Sequence, residues 1–550
     1  LASTPESAGG DHTPNPVAER AESVFSPETG RPDWRSRLGN AIRSAPVERK
    51  FLWILLLLFV AKGVFFTFSF PAFSGHDEVA HYAYLRFVAE EGRPPLIPDP
   101  EAWEAQFAVD RNQRSHDRIP EELWQYCRFV TQDWKFCDDP RYINNPVYAV
   151  SVGEHKYPAG WVYTGNHPPL YYLVMTPVYW LSSSGSFETQ LYILRLAAIP
   201  FGMLAVIFAY RTSRVLFPAS RFLAMTVPAF VAFQPQISYE SAMLNNDIFA
   251  IAFTSVVFYL IAVGLRKDFP WRTCVLMGLF FGLAMLSKST SLVSGGVIAV
   301  AMILGLGPKN IRAWLPKGVV TAAIGGLLIW PWYLYMYRTY GDFTALSRIQ
   351  GLQWWNYNGA EPPSVWAQLT NPDFAWMRWK ETWGEFGWRL IPLDRELLWF
   401  IFWVCAIGLA GVVWWTIQAW LAKSGRTITM RDDEGGWSAP AIRSFRGRET
   451  RIDPVYRVDR PVRVAVLTLI IACVLAYYAI LQFGTTFSLT QARYYFPSVN
   501  AVALLIMLGY RALLPRQWLK AGQVIVFLAL VALNIVIFSQ YTIPYWGGGV

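Results

Sequence analysis

The chain has 550 residues, of which 53% are hydrophobic, 16% aromatic and only 16% charged, with a formal net charge of +9. Soluble domains carry about 25% charged residues, and here the apolar residues gather in blocks near the roughly 20 that cross a bilayer as a helix. This excludes a soluble enzyme with a membrane anchor, a disordered scaffold and a disulfide-rich secreted module, and the continuity of the blocks excludes a membrane β-barrel. The basic excess, which in a soluble protein would suggest nucleic acid, reads here as a record of topology, because cytoplasmic loops collect Lys and Arg. No nucleic-acid partner is expected.

The first fifty residues are polar, and the stretch to about Arg31, rich in Pro, Ser, Glu and Arg, reads as a disordered cytoplasmic tail. No charged n-region, apolar h-region and cleavage site precede the first apolar block, at 51–70, which is expected to act as an uncleaved signal anchor. Further blocks follow at about 192–210, 222–238, 247–265, 272–287, 290–306, 318–338, 397–421, 464–483, 495–513 and 519–540. Basic residues fill alternate connections: Arg211, Arg214 and Arg221; Arg266, Lys267 and Arg272; Lys309, Arg312 and Lys317; Arg511, Arg516 and Lys520. The 422–463 segment, a basic insert, carries ten more. These connections are placed in the cytoplasm. The fold class expected is an all-α polytopic membrane protein with eleven transmembrane helices, the N-terminus inside and the C-terminus outside.

The block His167–Ser184 does not fit this alternation, since both its flanks fall outside. With Pro168, Pro169 and Pro177 against a plain spanning helix, it reads as a re-entrant or interfacial helix, the alternative being a twelfth span. Two outer loops result, 71–191 and 339–396, both within a 51–421 core, and the 422–463 insert divides that core from the 464–550 helices. The second loop is crowded with Trp354, Trp355, Trp366, Trp376, Trp379, Trp383 and Trp388. Aromatic rings collect at membrane interfaces, and they also stack on sugars. Of five cysteines, Cys274, Cys405 and Cys473 sit in apolar blocks as packing residues. Cys127 and Cys137 share the first outer loop and could pair in an oxidising compartment.

Charge at the membrane surface is expensive and usually functional. Its densest cluster follows the first block: Ser74-Gly75-His76-Asp77-Glu78-Val79-Ala80-His81. A partly desolvated carboxylate beside another is pushed toward the neutral range that suits a general base, and the alternative is a solvated helix N-terminus. The spacing fails the His-Glu-x-x-His of zinc helices, and the single Glu-x-x-His pair, Glu78 and His81, lacks the second pair of a di-metal bundle. A single Mg or Mn ion on Asp77 or Glu78 remains open. A second cluster, Gln234 to Glu240 running into Asn245-Asn246-Asp247, suits hydroxyl or metal recognition, with helix capping as its plain reading. Three isolated outer cations, Arg195, Lys288 and Arg493, suit a lipid phosphate, with snorkelling to headgroups as the alternative.

In this order along the chain, the Asp77-Glu78 pair, His167-Pro168-Pro169-Leu170, Arg195-Leu196, Asp247 and Lys288 resemble the polytopic glycosyltransferases of the GT-C superfold, which take sugar from a polyprenyl-phosphate carrier. Gln491-Ala492-Arg493-Tyr494-Tyr495-Phe496-Pro497 and Thr382-Trp383-Gly384-Glu385-Phe386-Gly387-Trp388 look closer still to a bacterial subgroup of membrane glycosyltransferases filed as a domain of unknown function. The resemblance covers about 51–515. It implies a GT-C-like fold in a bacterial inner membrane, a polyprenyl-phosphate-linked sugar donor, a lipid, glycan or protein acceptor, and contact with membrane lipids.

The residues carry the same expectation by another route. No glycine-rich strand–turn–helix unit for a nucleotide is present, and an outer-face transferase must draw on a membrane-borne donor. Asp77, Glu78, His81 and Asp247 are the catalytic candidates, with Asp77 favoured as base. Lys288, Arg493, Arg195 and Tyr494 are the candidates for the donor phosphate, and His167, Asn246, Glu240 and Trp383 for substrate. Direct displacement would invert the anomeric centre. A lipid-linked-sugar transporter would instead place ionisable groups near mid-membrane, and a non-catalytic subunit would use the clusters for neither purpose.

Overall fold

The structure is a computed structural model that describes residues 45–97, 123, 126, 150–152, 155–157, 163–350, 361–423, 442–443, 449–450, 454–456, 458–487 and 490–547. The Cys127–Cys137 pairing, Trp354 and Trp355, nearly all of the N-terminal tail and most of the basic insert lie outside these residues. Phe51–Val550 forms one compact unit. Its helices are α1 (Val47–Ser69), α2 (Glu78–Glu91), α3 (Leu170–Ser182), α4 (Phe187–Leu216), α5 (Arg221–Phe233), α6 (Pro235–Ser241), α7 (Asp247–Arg266), α8 (Trp271–Ser287), α9 (Leu292–Leu306), α10 (Ile311–Tyr340), α11 (Pro372–Trp383), α12 (Arg395–Lys423), α13 (Arg460–Gly484), α14 (Val499–Leu513) and α15 (Leu519–Val536).

Every apolar block holds a helix. Nine helices among the described residues are long and apolar enough to cross a membrane, while Arg221–Phe233 and Trp271–Ser287 are apolar but shorter. The chain is a multi-pass, helical membrane protein. The 222–238 block is not one helix. Pro235 has no N–H to donate and forces Gln234 into an extended conformation, with φ −62° and ψ 120°. The Gln234 side chain then accepts the Ile237 N–H and starts α6. The carbonyl of Ala232 at this break accepts from Lys62 Nζ at 2.6 Å, and Lys62 also reaches Asn534 Oδ1 at 3.2 Å. The Lys62 amine inside the first span thus ties α1 to the end of α5 and to α15.

Helix α3 has only 13 residues, about 20 Å at 1.5 Å per residue, against a hydrocarbon core of about 30 Å. It buries Tyr171, Tyr172, Met175 and Tyr179 and exposes Leu173, Val174, Trp180 and Leu181. It packs on α2 and α4. The helix is thus two-faced, one side packed on the bundle and the other exposed. At the centre of the bundle, α7 is buried over most of its length and packs against α4 and α8, while α14 packs against α12 and α5. The N-terminus of α7 and the turn before α14 bring charge to one place.

Candidate active site

The two adjacent acids after α1 go separate ways. Asp77 takes a left-handed conformation, φ 56°, and Glu78 opens α2. Left-handed backbone at a non-glycine residue is strained and gathers at functional sites; here it turns neighbouring side chains apart. Glu78 Oε1 accepts from Arg195 Nε at 2.8 Å and from the Leu244 N–H at 2.9 Å. Its Oε2 accepts from Arg195 Nη2 at 2.5 Å and from the Gly75 N–H at 2.8 Å. Arg195 Nη1 donates to the Thr67 and Phe70 carbonyls at 3.0 and 2.9 Å, and Nη2 to Pro71 at 2.9 Å. All five guanidinium donors are therefore used, and neither side chain has any exposure. Arg195 has nothing left for a phosphate and Glu78 nothing left for a substrate proton. The expected roles of these two residues give way to a staple that fixes the end of α1, the start of α2, α4 and the α6–α7 turn.

Asp77 points into a different setting. Arg493 Nη2 pairs with Asp77 Oδ2, Arg493 Nη1 lies 3.6 Å from Asp247 Oδ2, and Lys288 Nζ pairs with Asp247 Oδ1. Two carboxylates and two cations, contributed by four separate stretches of chain, form one buried cluster. The Tyr494 ring lies beneath the cations, 4.8 Å from Lys288 Nζ, within cation–π range. Unlike the staple, this cluster is not saturated: Arg493 Nε and Nη1 and Asp247 Oδ2 make no hydrogen bond. It edges a cavity of about 150 Å³ whose polar lining includes Asp77, His81, His167, Lys288, Arg493 and Tyr494, and whose apolar lining is Leu346, Ile349, Phe483 and Phe487.

Local structure explains each position. Lys288 sits at the break between α8 and the turn into α9, in extended conformation. The Asn246 amide holds that break by donating to the Ser287 carbonyl at 2.9 Å. Asp247 is the first residue of α7, where the helix dipole favours an anion, and Asn245 Oδ1 accepts the Ile248 N–H at 3.3 Å. Arg493 lies on a 3₁₀ turn, Ala492–Ser498. That turn is anchored by Glu381, which accepts the Ala492 N–H at 2.8 Å and pairs with Arg378 and Arg389. Helix α11 of the Trp-rich loop thus positions a cavity cation, a role no motif revealed.

His81 is buried and His167 half-buried beside the cavity. Burial pushes His81 down to about 3 against the pull of Asp77, and pushes His167 well below its ordinary value, so both are neutral. Burial also lowers Lys288, with Asp247 opposing it.

The remaining candidates fall elsewhere. Asn246 positions the Ser287–Lys288 break and does not line the cavity. Glu240 faces His76, 3.7 Å away, in a smaller polar pocket that shares Arg493 with the main cavity. Trp383 is 5% exposed and packs edge-on against Phe230 in the hydrophobic core, so the structure gives it no substrate face. Among the described residues no three His, Cys, Asp or Glu side chains come together to hold a metal. Asp77 and Asp247 are already met by Arg493 and Lys288, a donor set that does not fit a divalent ion. The residues unforeseen in the sequence are Tyr172, Glu381 and the apolar quartet of the cavity.

Residues 166–335 match the profile of the dolichyl-phosphate-mannose-protein mannosyltransferase family. The matched stretch contains His167, Asp247 and Lys288, and agrees with the GT-C resemblance of the motifs; Asp77 and Arg493 lie outside it. No curated protein sequence matches the chain. Among solved structures, the chain is similar to ArnT from Cupriavidus metallidurans bound to undecaprenyl phosphate, at 16% identity over 88% of this chain and 64% of that one, with a TM-score of 0.40. It is similar to the Archaeoglobus fulgidus oligosaccharyltransferase in the apo form, at 12% identity over 88% and 55%, with a TM-score of 0.47. The same holds for the Archaeoglobus fulgidus oligosaccharyltransferase AglB with an inhibitory peptide and a dolichol-phosphate, at 12% identity over 90% and 56%, with a TM-score of 0.44. The chain spans between about half and two thirds of the length of these structures.

Proposed function

We propose that this chain transfers a sugar from a polyprenyl-phosphate carrier to an acceptor hydroxyl at the outer face of a bacterial inner membrane. The observation that carries the reading is the cavity itself, where one unsaturated carboxylate–cation cluster meets an apolar wall. Leu346, Ile349, Phe483 and Phe487 suit the first isoprene units of a carrier, and Lys288 and Arg493 suit its phosphate. The match of 166–335 to a family of lipid-phosphate-dependent mannosyltransferases supports the same class.

The chemistry follows the charges. The acceptor oxygen attacks the anomeric carbon, the bond from that carbon to the phosphate oxygen breaks, and the hydroxyl proton passes to Asp77. The carrier phosphate gains one negative charge as it leaves, and Asp77 loses one as it is protonated. Arg493, paired with Asp77 in the free protein, is thereby released toward the more anionic phosphate, where its spare Nε and Nη1 donors can act. Asp247 keeps Lys288 in place. A single displacement inverts the anomeric centre.

The test is release of polyprenyl phosphate from a radiolabelled polyprenyl-phosphate sugar by the purified protein, with label recovered on an added acceptor of opposite anomeric configuration. Movement of intact donor across vesicles without cleavage would instead support a transporter and defeat this reading.

A further inference from the structure

Tyr172 Oη lies 2.8 Å from His81 Nδ1 and 3.4 Å from His167 Nδ1. The phenol is buried, stacked on Tyr84 with ring centroids 3.7 Å apart, and its hydroxyl has no other hydrogen-bond partner among the described residues. It carries one proton. If both Nδ1 atoms were bare, one would face the phenol oxygen lone pair to lone pair. If both carried hydrogen, the phenol proton would have no acceptor. All three groups are satisfied only when the phenol donates to one ring and accepts from the other.

Hydroxyl donors approach closer than N–H donors, so the shorter contact, 2.8 Å, suits the phenol donating to His81 Nδ1 and the longer one, 3.4 Å, suits an approach of the His167 Nδ1–H to the phenol oxygen; we assign the protons in that sense. His81 then bears its proton on Nε2, and His167 leaves Nε2 bare. Neither Nε2 atom has a partner among the described residues, both rings line the cavity, and their centroids are 5.6 Å apart. The backbone at His167 is itself held, because Tyr84 Oη donates to its carbonyl at 2.8 Å.

We infer that Tyr172 is a positioning residue that locks His81 and His167 in opposite tautomers, so that the cavity offers one imidazole N–H and one bare imidazole nitrogen to adjacent free hydroxyls of a bound sugar ring. This rests on the proposed reading that the cavity takes a glycosylated carrier phosphate, and it adds what that reading leaves open, the face of the sugar that is recognised. A free hydroxyl accepts from the N–H, and its neighbour donates to the bare nitrogen. An ester or ether at the second hydroxyl has no proton to give. The substrate class is a sugar with two neighbouring unmodified hydroxyls. Burial pushes both imidazoles away from the charged form, the direction such a donor–acceptor pair requires.

The experiment is 15N NMR of histidine-labelled full-length protein in nanodiscs, where only six histidines need assignment. His81 should read as the Nε2–H tautomer and His167 as the Nδ1–H tautomer, and Tyr172→Phe, which keeps the ring stack, should abolish that distinction. Titration with mannosylated polyprenyl phosphate should shift both Nε2 resonances, and the sugar-free carrier should not. Tyr172→Phe should weaken the mannosylated carrier about tenfold and leave the sugar-free carrier unchanged. Identical tautomers in the wild type, or equal weakening of both carriers, overturns the inference while leaving the donor reading intact. A wild-type protein that binds neither carrier overturns both.

Discussion

Asp77 and Glu78 are sequence neighbours with opposite fates, and the contrast between their two ion pairs separates structure from chemistry in this molecule. The Glu78–Arg195 pair is closed: each carboxylate oxygen accepts two hydrogen bonds, each guanidinium donor is used, and no atom is left over. The Asp77–Arg493 pair is open, edging a cavity and sharing its cation with Asp247, with two guanidinium nitrogens unbonded. A saturated buried pair has no capacity for a new ligand. An unsaturated one retains the desolvation cost of burial and can recover part of it by binding an anion. Saturation, rather than burial or charge, tells which cation has donors left for a ligand, Arg493 rather than Arg195.

The sharpest way to break the comparison is to neutralise the two acids separately. Asp77→Asn should lower sugar transfer by about 10²–10⁴-fold, the usual worth of a general base, with a smaller fall in unfolding temperature than Glu78→Gln, because Arg493 keeps Asp247 as a counter-ion. Glu78→Gln should do the reverse, keeping the turnover of the folded fraction within a few-fold while unfolding at lower temperature. Equal turnover losses in two equally stable variants would erase the distinction. The closed pair can be opened from its other side. Arg195→Ala leaves a carboxylate buried without its counter-ion, which costs about 3–5 kcal/mol, and also leaves the Thr67, Phe70 and Pro71 carbonyls without this donor. Its signature is reduced stability in detergent with unchanged affinity for carrier phosphate. A selective loss of carrier affinity would return Arg195 to the donor site.

The open cluster gives a smaller effect of a different kind. Lys288→Ala removes one charged hydrogen-bond donor and should weaken binding of polyprenyl phosphate by about 1.5–3 kcal/mol, read by isothermal titration in micelles. Asp247, its partner, would then face Arg493 alone, so stability should fall less than in Arg195→Ala. Affinity that does not change would remove Lys288 from the phosphate site.

Much of this site was visible in the sequence for one reason: ionisable groups at the ends of apolar blocks are costly, so the few that occur stand out. Asp77, Asp247, Lys288 and Arg493 stand out that way and do converge. What the sequence does not carry is pairing. Arg195 meets a carboxylate 117 positions away, and two adjacent acids look alike until the left-handed backbone at Asp77 sends them apart. Arg195 and Lys288 are both isolated cations at block ends, and only the acceptors around them distinguish staple from ligand site. Trp383 misled because aromatic side chains serve cores and sugar platforms equally well. Tyr172 was hidden inside an apolar segment, where a phenol reads as packing. The break at Gln234–Pro235 was legible from proline chemistry, but the apolar run on both sides read as one span.

The smallest predicted effect concerns acid. In an unfolded chain His81 takes up a proton near pH 6.5, whereas in the fold burial holds it neutral to about 3. His167 is displaced in the same direction. Between these limits the unfolded state binds more protons than the native state, so stability must fall as the pH drops below about 6.5. Each such histidine can raise the unfolding constant by up to about tenfold per pH unit, or about 1.4 kcal/mol. Above 6.5 both states are neutral at these positions and neither contributes. The window from 6.5 to about 5 is the one in which an ordinary histidine takes up its proton. Thermal unfolding across this window should show a declining melting temperature, and His81→Asn, which cannot take up the proton, should shallow the decline without abolishing it, since His167 remains. A slope identical in wild type and variant would mean that His81 is charged in the fold or wet enough to titrate normally, and the cavity wall it lines would then be far more polar than its packing against Tyr172 implies.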